Sequence, residues 1–245
     1  MLQNELMART LNFSFAGEAV VVTGGTSGIG LAIAQDFAKA GASVYATGLR
    51  PFPQDASEIC FRELDVRDES AIKAFFREIG DVSILVNAAG VIRRDAEFEL
   101  EVFEDVVNIN LIGTMRMCMA ARQGLVARKG VVVNVASMLS FFGGPRVPAY
   151  TATKGAVAQL TKSLAVAWAA DGIRVNAIAP GWIATPLTEA LQNNPERSAG
   201  LLGRTPMARW GKPDEVSPTV LFLCSDAASF LTGCILTVDG GYSAA

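Results

Sequence analysis

Apolar and polar positions follow one repeating pattern along the chain. Short runs of β-branched and apolar residues alternate with longer stretches in which apolar positions recur at helical spacing. The short runs have no consistently polar face, which is typical of strands that helices cover on both sides of a parallel sheet. The predicted strands span residues 19–23, 43–47, 60–63, 84–87, 130–135, 174–178 and 234–238. The predicted helices span residues 28–40, 69–79, 100–127, 151–170 and 214–225. We therefore predict an α/β fold, a doubly wound parallel sheet of about seven strands with three layers, α/β/α.

Two segments fall outside this alternation. Residues 186–210 follow the sixth strand and are rich in proline, glycine and arginine, a position typical of a mobile lid over a binding site. Residues 1–17 lack the apolar core of a signal peptide and are interpreted as an N-terminal extension. No repeat or linker divides the rest, so residues 1–245 are expected to form a single domain.

Composition narrows the classes of function. Hydrophobic residues make up 51% of the chain, charged residues 18%, and the net charge is −3. These values exclude a disordered chain and argue against nucleic acid as a partner. No apolar run is long enough for a membrane span, so no membrane partner is expected. The four cysteines lack metal-ligand spacing, and we expect reduced thiols, a cytoplasmic location and no metal site. Because histidine is absent, acid-base chemistry is left to tyrosine, lysine, serine, cysteine or carboxylates.

A glycine-rich loop joins the first strand to the first helix. It reads TGGTSGIG over residues 23–30. Glycines allow the tight turn, and the free amides and dipole at the start of the helix attract a pyrophosphate, so the loop predicts a dinucleotide site. In NAD-selective sites an acidic residue often follows about 20 residues later, but Gly48 stands there. Nearby Arg50 is interpreted either as a ligand of a 2′-phosphate or as a solvated surface charge.

Three proton-handling side chains carry the candidate chemistry. Tyr150 and Lys154 are four residues apart in a helical pattern, and Ser137 follows the fifth strand. Lowering the pKa of a tyrosine by about 3 units takes roughly 4 kcal/mol. A lysine ammonium about 4 Å away supplies that amount at an effective dielectric constant of about 20. Asn110 is a candidate for holding a proton-relay water. Taken alone, a tyrosine and a lysine four residues apart are equally compatible with an ordinary amphipathic helix that carries a surface lysine.

The joint pattern resembles the classical short-chain dehydrogenase/reductase family over nearly the whole chain. The matching positions are residues 23–30, 87–90, 110, 137, 150, 154 and 180–181. The resemblance implies a Rossmann-type domain that moves a hydride between NAD(H) or NADP(H) and an alcohol or ketone carbon. It implies Tyr150 as general acid/base, Lys154 as the residue that lowers its pKa, Ser137 as the carbonyl ligand and Asn110 as the holder of the relay water. The C-terminal residues 238–241 resemble the strand that packs at a subunit interface, and a homotetramer is implied.

The same resemblance implies a set of cofactor-binding residues besides Tyr150 and Lys154. They are Gly24, Thr26, Ser27, Gly28, Ile29, Gly30, Asp65, Val66, Asn87, Ala88, Ala89, Gly90, Pro180, Gly181, Ile183 and Thr185.

Several segments are more closely similar to the bacterial 2-deoxy-D-gluconate and 2-keto-3-deoxy-D-gluconate dehydrogenases of that family. They cover residues 92–94, 137–141, 143–144, 146–148, 150–151, 196–199 and 209–211. This similarity implies a sugar acid as substrate and slightly favours NAD(H). An arginine suits bidentate capture of a carboxylate, which makes Arg146 the first candidate anchor, ahead of Arg94, Arg204 and Arg209, with Trp182 as a pocket wall.

Two alternatives stay open at this point. A 3-oxoacyl carrier-protein reductase shares every catalytic residue, and a dinucleotide-sensing protein shares the binding loop without needing the proton-handling residues.

Overall fold

The computed structural model describes residues 13–54 and 56–245, and it places seven parallel strands in one sheet. The strands are β1 (Ala19–Thr23), β2 (Ser43–Gly48), β3 (Ile59–Glu63), β4 (Ile84–Asn87), β5 (Val131–Val135), β6 (Arg174–Pro180) and β7 (Ile235–Val238). Their order across the sheet is β3-β2-β1-β4-β5-β6-β7. The chain winds outward in both directions from the β1/β4 pair, which confirms the predicted doubly wound α/β fold.

Helices cover both faces of the sheet. They are α1 (Gly28–Lys39), α2 (Glu69–Ile79), α3 (Leu100–Val107), α4 (Gly113–Arg128), α5 (Pro148–Trp168), α6 (Glu189–Gln192), α7 (Pro195–Gly203) and α8 (Pro213–Cys224). The described helices include none with the length and apolar character that crossing a membrane requires.

The alternation of side chains along each strand creates two cores. In β1, Val20 and Val22 pack with Phe37 of α1 and Val220 of α8 on one face. Val21 points to the other face and packs in a second cluster with residues of α2, α4 and α5. Since both faces are buried, the strand has no polar side to present to water, and the apolar runs of the sequence are explained.

The helix predicted over residues 100–127 is interrupted in the structure. α3 and α4 are joined by a π-helical turn, Asn108–Ile112, in which the amide of Gly113 donates to the carbonyl of Asn108. An extra residue in a helical turn leaves the apolar spacing nearly intact, so the periodicity predicts one continuous helix. Such turns are frequent at functional sites, and this one contains Asn110.

The helix predicted over residues 151–170 begins earlier than expected. α5 starts at Pro148, which needs no amide partner at the first helical position, so Tyr150 lies in the first turn. The predicted lid is not an irregular loop: residues 186–210 contain α6 and α7. Of the predicted N-terminal extension, residues 1–12 lie outside the described residues.

Candidate active site

The site is a cavity at the carboxyl ends of the strands, where the winding of the chain reverses between β1 and β4. It has a volume of about 1000 Å³ and is bounded by the β1–α1 loop, the ends of β2 to β6, and α7. Ligands of open α/β sheets bind at such a reversal, because the loops on its two sides separate there. The position of this cavity therefore follows from the order of the strands.

The glycine-rich loop forms one wall of the cavity. Gly24 has φ +63°, and a Cβ atom at this position would lie 2.8 Å from the Cα of Ala89. The loop is joined to the end of β4 by Thr23, whose Oγ1 accepts hydrogen bonds from the amides of Ala88 and Ala89 at 3.1 Å. Only glycine permits this conformation and this close approach.

The start of α1 is free to hold an anion. Ser27 precedes the helix in an extended conformation, and its side chain makes no capping hydrogen bond. The first amides of α1 therefore lack a side-chain partner, and the helix dipole adds positive potential there. A Cβ atom at Gly28 would lie 3.3 Å from Thr185, so the glycine leaves space between the start of α1 and Thr185. These features fit the pyrophosphate of a dinucleotide.

Nearly all of the predicted cofactor-binding residues line this cavity. They are Gly24, Thr26, Ser27, Gly28, Ile29, Gly30, Asp65, Val66, Ala88, Ala89, Gly90, Tyr150, Lys154, Pro180, Gly181, Ile183 and Thr185.

Asn87 is the exception among them. Its side chain is 4% exposed and points into the sheet, where Nδ2 donates to Asn134 Oδ1 at 2.9 Å and to Cys118 Sγ at 3.3 Å. The residue is absent from the cavity wall because it is still within β4, and in a strand successive side chains point to opposite faces. Asn87 therefore stabilises the end of β4 through side-chain contacts on the face of the sheet that does not line the cavity.

Strand β2 ends at the part of the cavity where the ribose of a dinucleotide is expected. No acidic side chain lies at this strand end. A Cβ atom at Gly48 would lie 2.8 Å from Thr26 Oγ1, so a larger residue there requires the Thr26 side chain to move. Arg50 does not line the cavity; its Nε pairs with Glu63 Oε2 at 2.8 Å and its guanidinium lies over Phe52. The structure thus favours the surface-charge interpretation of Arg50.

Tyr150, Lys154 and Ser137 converge at the centre of the cavity. Lys154 Nζ donates to the carbonyl of Val135 at 2.6 Å and lies 5.5 Å from the centroid of the Tyr150 ring. Ser137 begins a short helical turn after β5, and its Oγ accepts a hydrogen bond from the amide of Leu139 at 3.1 Å. The structure brings these three side chains into one cavity, and their catalytic roles stay predictions.

The electrostatics differ from the expectation for Tyr150. Burial raises the pKa of Tyr150 above its ordinary value, and a hydrogen bond from Ser137 and the charge of Arg94 oppose this rise. Burial also lowers the pKa of Lys154 to about 8, because its ammonium lies among apolar groups. The Lys154 ammonium lies beside the ring and donates to Val135, and its part in lowering the pKa of Tyr150 stays a prediction.

Asn110 lies within the π-helical turn and is 1% exposed. Its side chain binds both polar groups of one residue: Oδ1 accepts from the amide of Val91 at 2.8 Å, and Nδ2 donates to the carbonyl of Val91 at 2.9 Å. Asn110 thus fixes the loop after β4, and its role in a proton relay stays a prediction.

Comparison with known proteins decides the family. A family model described as enoyl-(acyl carrier protein) reductase matches residues 24–243. The 2-dehydro-3-deoxy-D-gluconate 5-dehydrogenase of Bacillus subtilis is 40% identical over 94% of this chain and 96% of its own length. The chain belongs to the short-chain dehydrogenase/reductase family.

Two solved structures are similar to this short-chain dehydrogenase/reductase over nearly their whole length. A putative 2-deoxy-D-gluconate 3-dehydrogenase from Agrobacterium tumefaciens with bound NADP is 42% identical, with a TM-score of 0.88, over 96% of this chain and 100% of the other. A gluconate 5-dehydrogenase from Burkholderia cenocepacia in complex with NADP and tartrate is 32% identical, with a TM-score of 0.87, over 96% and 98%.

Membership of this family makes the protein an NAD(P)-dependent oxidoreductase. When bound, the nicotinamide donates or accepts the hydride. Of the residues of this chain, the β1–α1 loop and the start of α1 fit the phosphates, and the hydroxyl-bearing Ser137 and Tyr150 line the cavity. No histidine is needed for this chemistry.

The arginines around the substrate end of the cavity fall into two groups. Arg146, the first candidate for an anchor, forms an ion pair with Asp95, and Arg209 pairs with Glu215 at 2.7 Å. These two guanidiniums are already neutralised by carboxylates. Arg146 lines the cavity, but a substrate carboxylate would compete there with Asp95, and its role as the anchor stays a prediction.

The second group has no carboxylate partner among the described residues. Arg94, Arg197 and Arg204 all line the cavity. Arg94 Nη1 donates to the carbonyl of Leu187 at 3.3 Å, and Arg204 lies 4.7 Å from the ring centroid of Tyr242. Sequence reasoning did not single out Arg197, because only the fold shows that α7 brings it over the cavity.

Trp182 lines the cavity, as predicted. Its ring packs edge-on against Trp210 and Tyr242, at 6.2 and 6.3 Å between centroids. Its Nε1 is buried and has no hydrogen-bond partner within the described part of the chain.

Proposed function

We propose that this short-chain dehydrogenase/reductase interconverts a secondary alcohol and a ketone on a sugar acid, with Arg94 as the anchor of the substrate carboxylate. The observation that carries the proposal is the guanidinium of Arg94, which lines the cavity beside Tyr150 and forms no ion pair among the described residues. Burial lowers the pKa of Arg94, while the neighbouring Tyr150 and Glu97 raise it. Arginine nevertheless stays protonated in proteins, so a half-buried positive charge faces the reacting group and favours an anionic substrate.

The relatives support the same substrate class. The Bacillus subtilis protein is named for a 3-deoxy sugar acid, and the Burkholderia cenocepacia structure contains tartrate, a dicarboxylate. A carboxylate bound by Arg94 places the hydroxyl-bearing carbons of a short polar chain next to Tyr150. Residues 186–210 then act as the lid, since α7 brings Arg197 and Leu201 over the cavity.

In this proposal the proton-handling residues have separate roles. Tyr150 removes the hydroxyl proton in oxidation and returns it in reduction. Ser137 holds the reacting oxygen, Lys154 places positive charge beside Tyr150, and Asn110 serves the proton relay. The cofactor preference is left to measurement, since the end of β2 carries neither an acid at Gly48 nor a basic residue that faces the cavity.

A substrate screen with two variants tests the proposal. D-gluconate and 2-dehydro-3-deoxy-D-gluconate are offered with NAD and with NADP, and reduction or oxidation of the nicotinamide is followed by absorbance. Tyr150→Phe should lower kcat by at least 100-fold. Arg94→Met should raise KM by about 100-fold, because a charge-assisted bidentate bond is lost.

Arg62→Met is the matched control, since Arg62 pairs with Glu78 on the surface and does not line the cavity. It should change neither constant. Turnover of acetoacetyl thioesters without any turnover of sugar acids would contradict the proposal and favour the acyl carrier-protein reductase. Cofactor binding without turnover on any substrate would favour a sensor.

The same proposal includes assembly and location. Phe230 and Val166 are 100% and 83% exposed. Exposed apolar residues on the turn before β7 and on α5 support a homotetramer in which such surfaces are covered. All four cysteines are free thiols, which supports a reducing cytoplasm.

A further inference from the structure

Glu97 is a buried carboxylate that the chemistry described above does not use. It is 1% exposed and lies in the short helical turn Ala96–Phe98 after β4. Its Oε1 accepts a hydrogen bond from the amide of Arg93 at 2.8 Å, and its Oε2 accepts one from the amide of Tyr150 at 2.8 Å. Glu97 therefore ties the loop after β4 to the first turn of α5.

The Tyr150 amide is one of the helix-terminal donors that have no partner within α5. A carboxylate at this end of a helix is also stabilised by the helix dipole. The cap of α5 is thus supplied by a residue 53 positions earlier in the chain. Any movement of Glu97 is passed directly to the backbone of Tyr150.

Backbone hydrogen bonds also hold the loop at the residues that follow Arg94. The amide of Asp95 donates to the carbonyl of Arg146 at 2.9 Å, and the amide of Glu97 donates to the carbonyl of Arg93 at 3.1 Å. Asp95 has φ +67°, a conformation that non-glycine residues adopt only when the surrounding contacts impose it. The backbone of Arg94 therefore lies between two fixed neighbours.

We propose that Glu97 is a positioning residue that fixes the distance between the Arg94 guanidinium and the Tyr150 hydroxyl. The enzyme thereby selects alcohols that lie at a set distance from a carboxylate. This inference rests on the sugar-acid function proposed above. Glu97 does not line the cavity, and it acts only through the two backbones that it joins.

The negative charge of Glu97 gives the proposal a second, independent signature. Several groups face the Tyr150 hydroxyl: burial and the charge of Glu97 raise its pKa, while Ser137 and Arg94 lower it. The Lys154 ammonium lies 5.5 Å from the ring centroid. Removing the charge of Glu97 should therefore move the titration of Tyr150 to lower pH.

Kinetics of Glu97→Gln test the positioning role. Glutamine has the same size but only one acceptor oxygen, so one of the two amides loses its partner. We expect KM for the sugar acid to rise by about tenfold, the lower end of the cost of losing a hydrogen bond to a charged group. In an Arg94→Met background the same change should add no further increase in KM. An unchanged KM, or a full tenfold increase without Arg94, would overturn the proposal.

Glu99→Gln is the matched control. Glu99 is exposed, lies two residues away, and its side chain forms no capping hydrogen bond. It removes the same charge without touching either backbone, and both KM and the titration of Tyr150 should stay as in the wild type. Glu97→Asp keeps the charge but shortens the side chain, so it should raise KM with little change in that titration.

A titration without substrate separates the two proposals. The chain has three tyrosines, so the tyrosinate absorbance of the wild type minus that of Tyr150→Phe reports Tyr150 alone, over the pH range in which circular dichroism shows a folded protein. Glu97→Gln should shift this curve to lower pH. If the curve does not move, the positioning proposal fails. If it moves but no sugar acid is turned over by the wild type, the proposed substrate class fails instead.

Discussion

Burying the charged side chain of Lys154 lowers the free energy of unfolding. Its side chain is 5% exposed, and burial lowers its pKa from 10.5 to about 8. Below pH 8 the lysine is charged in both the folded and the unfolded state, and the full cost of burying the charge is present. Between about pH 8 and 10.5 the folded state releases the proton while the unfolded state keeps it, so this cost falls as pH rises.

Lys154→Met should therefore raise the free energy of unfolding at neutral pH, by up to about 3 kcal/mol for the 2.5-unit shift. The advantage of the variant should shrink as pH rises from 8 to 10.5. Denaturant unfolding at several pH values measures this. Lys162→Met, on the exposed face of the same helix, is the control and should show no such dependence. A constant difference between Lys154→Met and the wild type at every pH would contradict the argument.

Single residues were predictable from sequence where their role follows from the local motif. Ser137 falls at a strand end that the sequence shows, and the Tyr150 and Lys154 spacing is visible there too, but the place of Tyr150 in the first turn of α5 is not, because that helix was predicted to begin at residue 151. Arg94, the proposed anchor, was among the sequence candidates but ranked behind Arg146, because the difference between the two depends on where Asp95 lies across the loop. Glu97 was missed for the same reason: its partners are backbone amides, which no sequence pattern marks.

Arg174 joins the start of β6 to the end of α8. Its Nη1 donates to the carbonyl of Leu223 at 2.7 Å, and its Nη2 donates to that of Ser225 at 3.2 Å. These are terminal carbonyls of a helix, which lack partners within it. A guanidinium also carries positive charge, which is favourable at a helix C-terminus.

Arg174→Met should lower the free energy of unfolding by about 2 kcal/mol, since two buried carbonyls lose a charged donor. Arg174→Lys should recover part of this loss, because one ammonium does not reproduce the planar fork. Thermal unfolding followed by circular dichroism compares the two with Arg62→Met, the surface control. Equal melting temperatures for Arg174→Met and the control would show that this contact does not stabilise α8.

At the scale of elements, all seven strands were predictable because each is an apolar run between turn residues. The boundaries of the helices were less predictable from the sequence. The π-helical turn at Asn108–Ile112 adds a residue without breaking the apolar spacing, and the early start of α5 depends on Glu97, which caps it from another part of the chain. Contacts distant in sequence decide both features.

The proposed homotetramer makes a prediction for the whole molecule. Phe230→Asp places a charge at a fully exposed apolar position and should not affect the monomer fold. If the surface is an interface, the variant should sediment as a smaller species than the wild type, because burying an unpaired carboxylate is costly. Glu58→Gln, at an exposed site on the opposite edge of the sheet, is the control. A wild type that sediments as a monomer would contradict the assembly.

The fold class was fully predictable from the alternation of strands and helices, whereas the order of the strands was not. The sequence predicts a parallel sheet, but the reversal between β1 and β4 is a property of the packed chain. The location of the cavity follows from that reversal, and the resemblance to a known family was needed to anticipate it.

The fixed loop of residues 91–97 has a consequence for how such an enzyme acquires new substrates. Asp95 joins the loop to Arg146, just before α5, and Glu97 joins it to Tyr150 within α5, so inserting or deleting one residue there displaces Tyr150. The opposite wall is formed by α7, which is held by its own contacts, among them the bond from Trp210 Nε1 to Ser198 Oγ at 2.9 Å. Mutational libraries aimed at a different substrate should therefore randomise residues 186–210, where the cavity can be reshaped while the reacting groups stay in register.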